Sequence, residues 1–274
     1  MVPQRQLLSR NRVVAAAAIE AVAGADGVSR LPVLASQAPL VLRRTPDAVY
    51  LVGGAAGPLG GDSLSLSVTV GAGAFLRVRT AAAAIALPGL DRLESVLRVS
   101  IAVREGGRLE YLPEPVVVTD GARHATLVSV TLAVGASLVL RDEVLLGRHG
   151  EAGGSARTDL QVSYAGRPLL RHALAISGTD PVSLGPAVLA GHRAVGTLLL
   201  VNARETDEAC DPGESSEFQR HTRMAEVAVM PLAGPGVLVT ALANDAVRLR
   251  RHLKLRDLPD ADTAPPLVGG RLQS

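Results

Sequence analysis

The chain has 274 residues and a formal net charge of only +2, with 28 basic residues against 26 acidic ones, and aromatics make up 2% of it with no Trp at all. That length buries a proper core in one or two domains, and no linker divides it, so a single domain over residues 1–274 is expected, with a core of Val, Leu, Ile and Ala. So few aromatics to stack on bases, and no basic run ahead of the C-terminus, argue against nucleic acid as a partner. Cys210 is the only cysteine, which excludes a disulfide framework and a cysteine-built zinc site and fits a reducing, cytoplasmic setting. The apolar run near the N-terminus is interrupted by Glu20 and is short for a signal peptide, and no stretch reaches the run of about 18 apolar residues that a membrane helix needs. The basic side is almost all Arg, with Lys254 the single lysine, which fits either carboxylate or phosphate recognition or a genome rich in Arg codons.

In chain order, residues 13–22 read as a first strand or a short Ala-rich helix, and periodicity does not decide between them. Short β-like runs follow, punctuated by Pro32, Pro39 and Pro46, as in edge strands or loops. The cluster GGAAGPLGGD ends on Asp62. It lacks the Gly-Lys-Ser/Thr of a phosphate loop, and the segment beyond it is strand by its period of two, so it is no dinucleotide fingerprint either.

From there one phrase recurs: SLSLSVTVGAGAFLRV, then VLRVSIAVREGGRLEYL, then ATLVSVTLAVGASLVL, each an alternating run, a glycine and a second short run. Each reads as strand, tight turn, strand. Gly73, Gly106 and Gly135 align at spacings of 33 and 29 residues, and Gly166, in a fourth hairpin, continues the series 31 further on. A fixed period of this size marks a stacked β architecture, and a tight turn needs a residue that tolerates positive φ. Between the first two phrases, TAAAAIALPG suggests a turn of helix stopped by Pro88 and Gly89. The β-stack is expected over about 13–203 and 237–243, with GTLLLVNA a further strand. Residues 205–230 and 244–255 read as a loop and helical docking segment, with one helix from Ser216 to Val229 and another capped by Asn244 and Asp245 and running to Leu255. Residues 256–274 show no packing pattern and read as a flexible tail.

The six histidines are scattered, with no pair at the spacing of a metal helix, and no Gly-x-Ser-x-Gly elbow is present. A Ser/His/Asp site assembled in space stays open. Glu110, Glu114, Asp120, Asp142, Glu143 and Glu151 recur at the ends of the repeats, as solvated strand ends or as paired acids for glycoside cleavage. His149 and Glu151 place two donors on one face of an extended segment, or sit in a solvated turn. A mean hydropathy of +0.27 without a membrane span suggests apolar area kept for a partner.

The phrases LGGDSLSLSVTVGAGAFLRVRTAA, GGRLEYLPEPVVVTDGAR, LRDEVLLGRHGE and YAGRPLLRHAL, in that order, resemble the urease accessory protein UreD (UreH) family from about Pro39 to about Leu174. The resemblance implies an all-β fold, a right-handed β-helix-like stack of short strands with helical elements in the C-terminal third. It also implies a non-enzymatic chaperone that binds urease apoprotein with UreF-like and UreG-like (GTPase) proteins and assists nickel insertion, with nickel bound only transiently. The family motifs fall on Gly60, Gly61 and Asp62, on Leu109 to Pro115 including Leu112 and Pro113, and on Gly147, Arg148, Gly150 and Glu151. Tyr111 stands where the family has tryptophan, and Glu114-Pro115 where it has Gln-Glu. As donors along a transient nickel path the resemblance implies Asp62, Glu110, Asp120 and Glu143, then His149 and Glu151. The other readings are a β-helical carbohydrate-active enzyme using paired carboxylates, and a plain β-rich interaction module.

Overall fold

A computed structural model describes residues 12–202 and 226–253. Seventeen strands and two helices occur among them. The strands are β1 (Val14–Ala23), β2 (Ser29–Ala35), β3 (Leu40–Arg44), β4 (Val49–Gly53), β5 (Ser63–Val70), β6 (Phe75–Thr80), β7 (Ala84–Ala86), β8 (Ser95–Val103), β9 (Arg108–Leu112), β10 (Val116–Val118), β11 (Arg123–Leu132) and β12 (Ser137–Leu146). The series continues with β13 (Ser155–Tyr164), β14 (Arg167–Ser177), helix α1 (Pro181–Leu184), β15 (Ala194–Val201), β16 (Val227–Pro231), β17 (Val237–Ala243) and helix α2 (Ala246–Leu253).

The chain winds as a β-solenoid of about 4 turns. Sheet A runs β14-β13-β11-β8-β5-β1-β2 and sheet B runs β16-β17-β15-β12-β9-β6-β4-β3. In the coils β5–β6, β8–β9 and β11–β12 each glycine turn carries the chain from one sheet to the other, and like strands stack in parallel. The repeats are therefore coils, and of the turns at Gly73, Gly106, Gly135 and Gly166 the last alone joins two paired antiparallel strands. The sequence period is the coil length. Leu66, Val99 and Val128 occupy matching positions, 99−66=33 and 128−99=29 residues apart. The turn glycines lie over one another, with Gly73 at φ 64, Gly106 at φ 62 and Gly135 at φ 71, where a side chain on an L-residue is strained.

Alternation decides what fills the solenoid. Leu64, Leu66, Val68 and Val70 of β5, Val99, Ile101 and Val103 of β8, and Val128, Val130 and Leu132 of β11 point inward to meet Leu76, Val78, Leu109, Leu138 and Leu140 of sheet B in one buried cluster. Each side chain stacks on its counterpart one coil away, a spacing of about 4.8 Å that suits aliphatic ladders and leaves little need for aromatics.

One open reading from sequence is decided and two change. Residues 13–22 hold a strand, because β1 pairs in parallel with β5 over eight residues from Val14↔Ser63 to Ala21↔Val70. The turn of helix expected after Thr80 is the short strand β7, drawn out by a parallel ladder with β10 that outweighs the helix propensity of its alanines. The helix expected from Ser216 to Val229 is strand β16 from Val227 onward, paired with β17, while its part before residue 226 lies outside the described residues, as does the tail 256–274. The helix after Asn244 is present as α2, with Asp245 accepting the Arg248 N–H at 2.8 Å. Pro32 sits in the edge strand β2, as expected.

Gly60 packs against the backbone of the next coil, where an added Cβ would lie 2.5 Å from Gly89 N and 2.7 Å from Leu93 O. Gly166 has a positive φ but open space around it. Gly60→Ala should therefore destabilise the chain by well over 2 kcal/mol, and Gly166→Ala by about 1 kcal/mol. Urea unfolding of the two variants compares them.

Candidate functional site

The residues singled out from sequence fall into two places, both outside the solenoid core. The first is the corner where the chain enters sheet A. Asp62 is buried and accepts the Val13 N–H and the Leu59 N–H, both at 2.9 Å, which ties the start of β1 to the Gly60-Gly61 turn. Gly147 follows β12 with a positive φ, and Arg148 closes on Glu151 through Nη2 to Oε1 at 2.6 Å and Nε to Oε1 at 2.9 Å. These bonds from Arg148 hold the Glu151 carboxyl down to about 2. Arg193 plugs the same loop, donating to the carbonyls of Leu146, Arg148 and Glu151. Asp120 and His149 are exposed.

The second place is the outer face of sheet B. Arg77 Nε meets Glu110 at 2.5 Å. Beside it, Arg250 of α2 reaches Glu143 at 2.6 Å and Glu114 at 2.9 Å, and Arg141 Nε lies 3.3 Å from Glu143. Arg141 also donates to the Pro113 carbonyl at 2.9 Å, while Leu112 lies part-buried one residue before it. The Glu143 side chain has no exposure, so these cations are what permit its charge there. Among the described residues no group of three or more His, Cys, Asp or Glu converges to hold a metal ion. The six sequence-selected donors are thus split between two surfaces, and four of them are already engaged.

A third place holds Asp142, named among the repeat-end acids but not among the nickel donors. On β12 the inward residues are Leu138, Leu140, Asp142, Val144 and Leu146, so Asp142 sits at the seam between two apolar clusters. It lines a cavity of about 10 Å³ with Thr158, His172 and Thr197. A second cavity of about 240 Å³ shares His172 and Thr197 and extends past Thr240 and Leu242 to Glu226. Burial, reinforced by the neighbouring Glu143 charge, pushes the Asp142 carboxyl up to about 6. Burial likewise lowers His172 and so favours a neutral imidazole. Tyr111, the residue standing for the family's tryptophan, is buried and raised, by burial first and by the Asp142 charge second. A carboxyl that changes charge near neutrality, a neutral imidazole and two threonine hydroxyls form a sparse oxygen and nitrogen donor set, suited to brief contact with a divalent ion. The signal for Asp142 was present in the sequence, since it holds an inward position in a strict alternation.

A buried Ser95 Oγ lies 2.9 Å from His124 Nδ1, and burial pushes His124 down to about 4. The other ring nitrogen meets Thr126 Oγ1 at 3.3 Å rather than a carboxylate, and Ser95 has no exposure. This pair closes a corner and is not a nucleophile awaiting substrate. Glu110, Glu114 and Glu143, the best acids for a glycoside-cleaving pair, are all committed to arginines.

The solenoid with its charge-laced outer face and polar-seamed interior coincides with a family assignment. A family model described as UreD urease accessory protein matches residues 15–259. The "Urease accessory protein UreD" of Parafrankia sp. (strain EAN1pec) is 41% identical, over 96% of this chain and 94% of its own length. That of Frankia alni is 40% identical, over 92% of this chain and 94% of its own. "Urease accessory protein UreD 3" of Streptomyces griseus subsp. griseus is 45% identical, over 86% of this chain and 93% of its own. The chain belongs to the UreD urease accessory protein family, and so to the proteins that serve urease maturation.

Two stability measurements follow. Arg250→Ala removes the main partner of a fully buried carboxylate and should cost about 3 kcal/mol in urea unfolding. Asp142 behaves oppositely: its folded value lies above the ordinary 3.8, so the folded chain holds the proton more tightly, and stability is lost as pH rises from about 4 to about 6. Asp142→Asn should therefore be more stable than the parent at pH 8 by about 1–2 kcal/mol, with the gap closing below pH 4.

Proposed function

We propose that this chain is a cytoplasmic, non-enzymatic scaffold that joins UreF-like and UreG-like proteins to urease apoprotein and passes nickel toward the urease active site. Family membership along nearly the whole chain is the observation that carries this reading. The relatives are named as accessory proteins and not as enzymes, and among the described residues the best acids for glycoside cleavage are bound to arginine, which weakens the carbohydrate reading.

Nickel is here a cargo, to be held loosely and released. Donors for it must be accessible to the ion and free of stronger partners. Asp62 holds two backbone N–H groups, Glu110, Glu143 and Glu151 hold arginines, and Asp120 and His149 are exposed, so as a path these six rank below the inner cavity. Asp142 and His172, with Thr158 and Thr197, offer a part-buried route between the two sheets. At neutral pH the Asp142 charge is costly when empty, and a passing cation relieves that cost.

The test is to co-express urease and its accessory proteins in a host without its own, using Asp142→Asn, Asp120→Ala and His149→Ala in turn, and to measure nickel per urease. Complex formation is checked by co-purification in each case. Asp142→Asn should lower nickel loading several-fold with the complex intact, and the two surface variants should stay near the parent. Full loading with Asp142→Asn, or a loss confined to the surface variants, would move the path to the outside.

A further inference from the structure

The outer face of sheet B carries more positive charge than its own acids satisfy. On β3, β4, β6 and β9 the residues Leu42, Val49, Val78 and Leu109 point into the core, so by alternation Arg43, Tyr50, Arg77, Arg79 and Arg108 point outward. The register sets Arg43 opposite Tyr50 and Tyr50 opposite Arg79, so a phenol stands between two guanidiniums on adjacent strands. Among the described residues Arg43, Arg79 and Arg108 form no ion pair, and neither Arg79 nor Tyr50 makes a side-chain hydrogen bond. Arg79 Nε is enclosed without an acceptor. So is Nη1 of Arg77, whose side chain is 3% exposed and spends only its Nε on Glu110. A guanidinium N–H taken out of water without an acceptor is destabilising, and an anion would relieve that.

The acids at hand do not answer this charge. Glu110 is taken by Arg77, and Glu114 and Glu143 are balanced by Arg141 and Arg250. Asp47, in the turn between β3 and β4, accepts from Thr45 at 2.7 Å. That bond, and after it the charges of Arg77 and Arg79, lower the Asp47 carboxyl, yet it forms no ion pair with either arginine. Asp47 and Glu110 therefore stand against Arg43, Arg77, Arg79 and Arg108, and the face keeps an excess of positive charge.

We propose that Arg43, Tyr50 and Arg79 form a binding site for an oxyanion, a carboxylate or phosphate group. Each guanidinium presents a fork of N–H donors that fits two oxygens of such a group, and the Tyr50 hydroxyl between them supplies a further donor. Arg43 is exposed and Tyr50 and Arg79 are part-exposed, so the anion reaches them from solvent. Its charge offsets the cations that Asp47 and Glu110 leave over. This inference is independent of the nickel reading, since the three residues lie on the outer face of sheet B and Asp142 lies at the inward seam.

The experiment records the arginine Nε–H resonances of the full chain by NMR while inorganic phosphate or hexaglutamate is added, with sodium chloride holding the ionic strength constant. Arg43→Lys and Arg79→Lys assign the two resonances, and Arg104, exposed in the turn before Gly106, is the control. The expected result is a saturable shift of Arg43 and Arg79 with at least one of the two oxyanions, no shift at Arg104, and affinity at least about tenfold weaker in Arg79→Gln. Arg79 holds no partner, so Arg79→Gln should keep the parent's melting temperature, and the bound oxyanion should raise the melting temperature of the parent but not of this variant. A response to phosphate assigns the site to phosphate groups, and a response to hexaglutamate alone assigns it to the carboxylates of a protein partner. No shift with either oxyanion, an equal shift at Arg104, or unchanged affinity in Arg79→Gln overturns the proposal.

Discussion

The two-residue alternation of the coil strands is the constraint on which the rest depends. Once β5, β8 and β11 stack in register, each inward position belongs to a ladder and meets mostly apolar neighbours. Aliphatic residues satisfy this at almost every rung, and the ladders set both the fold and its tolerance for substitution. The same rule makes Asp142 conspicuous: one residue out of step, on Arg141 or Glu143, a carboxylate can meet α2 or solvent, but on Asp142, which is only part-exposed, it faces the seam between the sheets. An acid retained at such a rung raises its own pKa and destabilises the folded chain at neutral pH, a cost that calls for a role other than packing.

Outside the core, electrostatics attach the C-terminal helix to the coil. Arg250 spans Glu114 and Glu143, while Leu249 and Leu253 pack over Gly196, where a Cβ would meet Leu253 Cδ1 at 2.7 Å. Glycine at that position lets α2 lie close enough for the guanidinium to reach a carboxylate with no exposure. α2 thus docks on the strand whose opposite face carries Asp142.

Much of the fold was legible in the sequence because the coil length is written directly in the glycine spacing, 33 and 29 residues for both. What alternation and turn glycines do not encode is which strand lies beside which. A tight turn looks the same whether it closes a hairpin, as at Gly166, or carries the chain between sheets, as at Gly73. Local propensity misled at Ala84–Ala86 and from Val227 onward, where neighbouring strands imposed extension on residues that accept helix. The site was less legible. Acids at strand ends were easy to find, but that Glu110 and Glu143 are held by Arg77 and Arg250 depends on contacts 33 and 107 residues away in sequence. Asp142 was counted among the repeat-end acids, and following the inward register of β12 past Leu140 would have set it apart from them.

The account turns on an acid part-buried at the seam between the sheets at neutral pH. Its most direct test is an NMR titration of the aspartate carboxyl carbons in the full chain, with Asp142→Asn used to assign the resonance. The account predicts that Asp142 titrates near 6, well above an ordinary aspartate. A midpoint near 4 would show a solvated side chain and contradict the inward path.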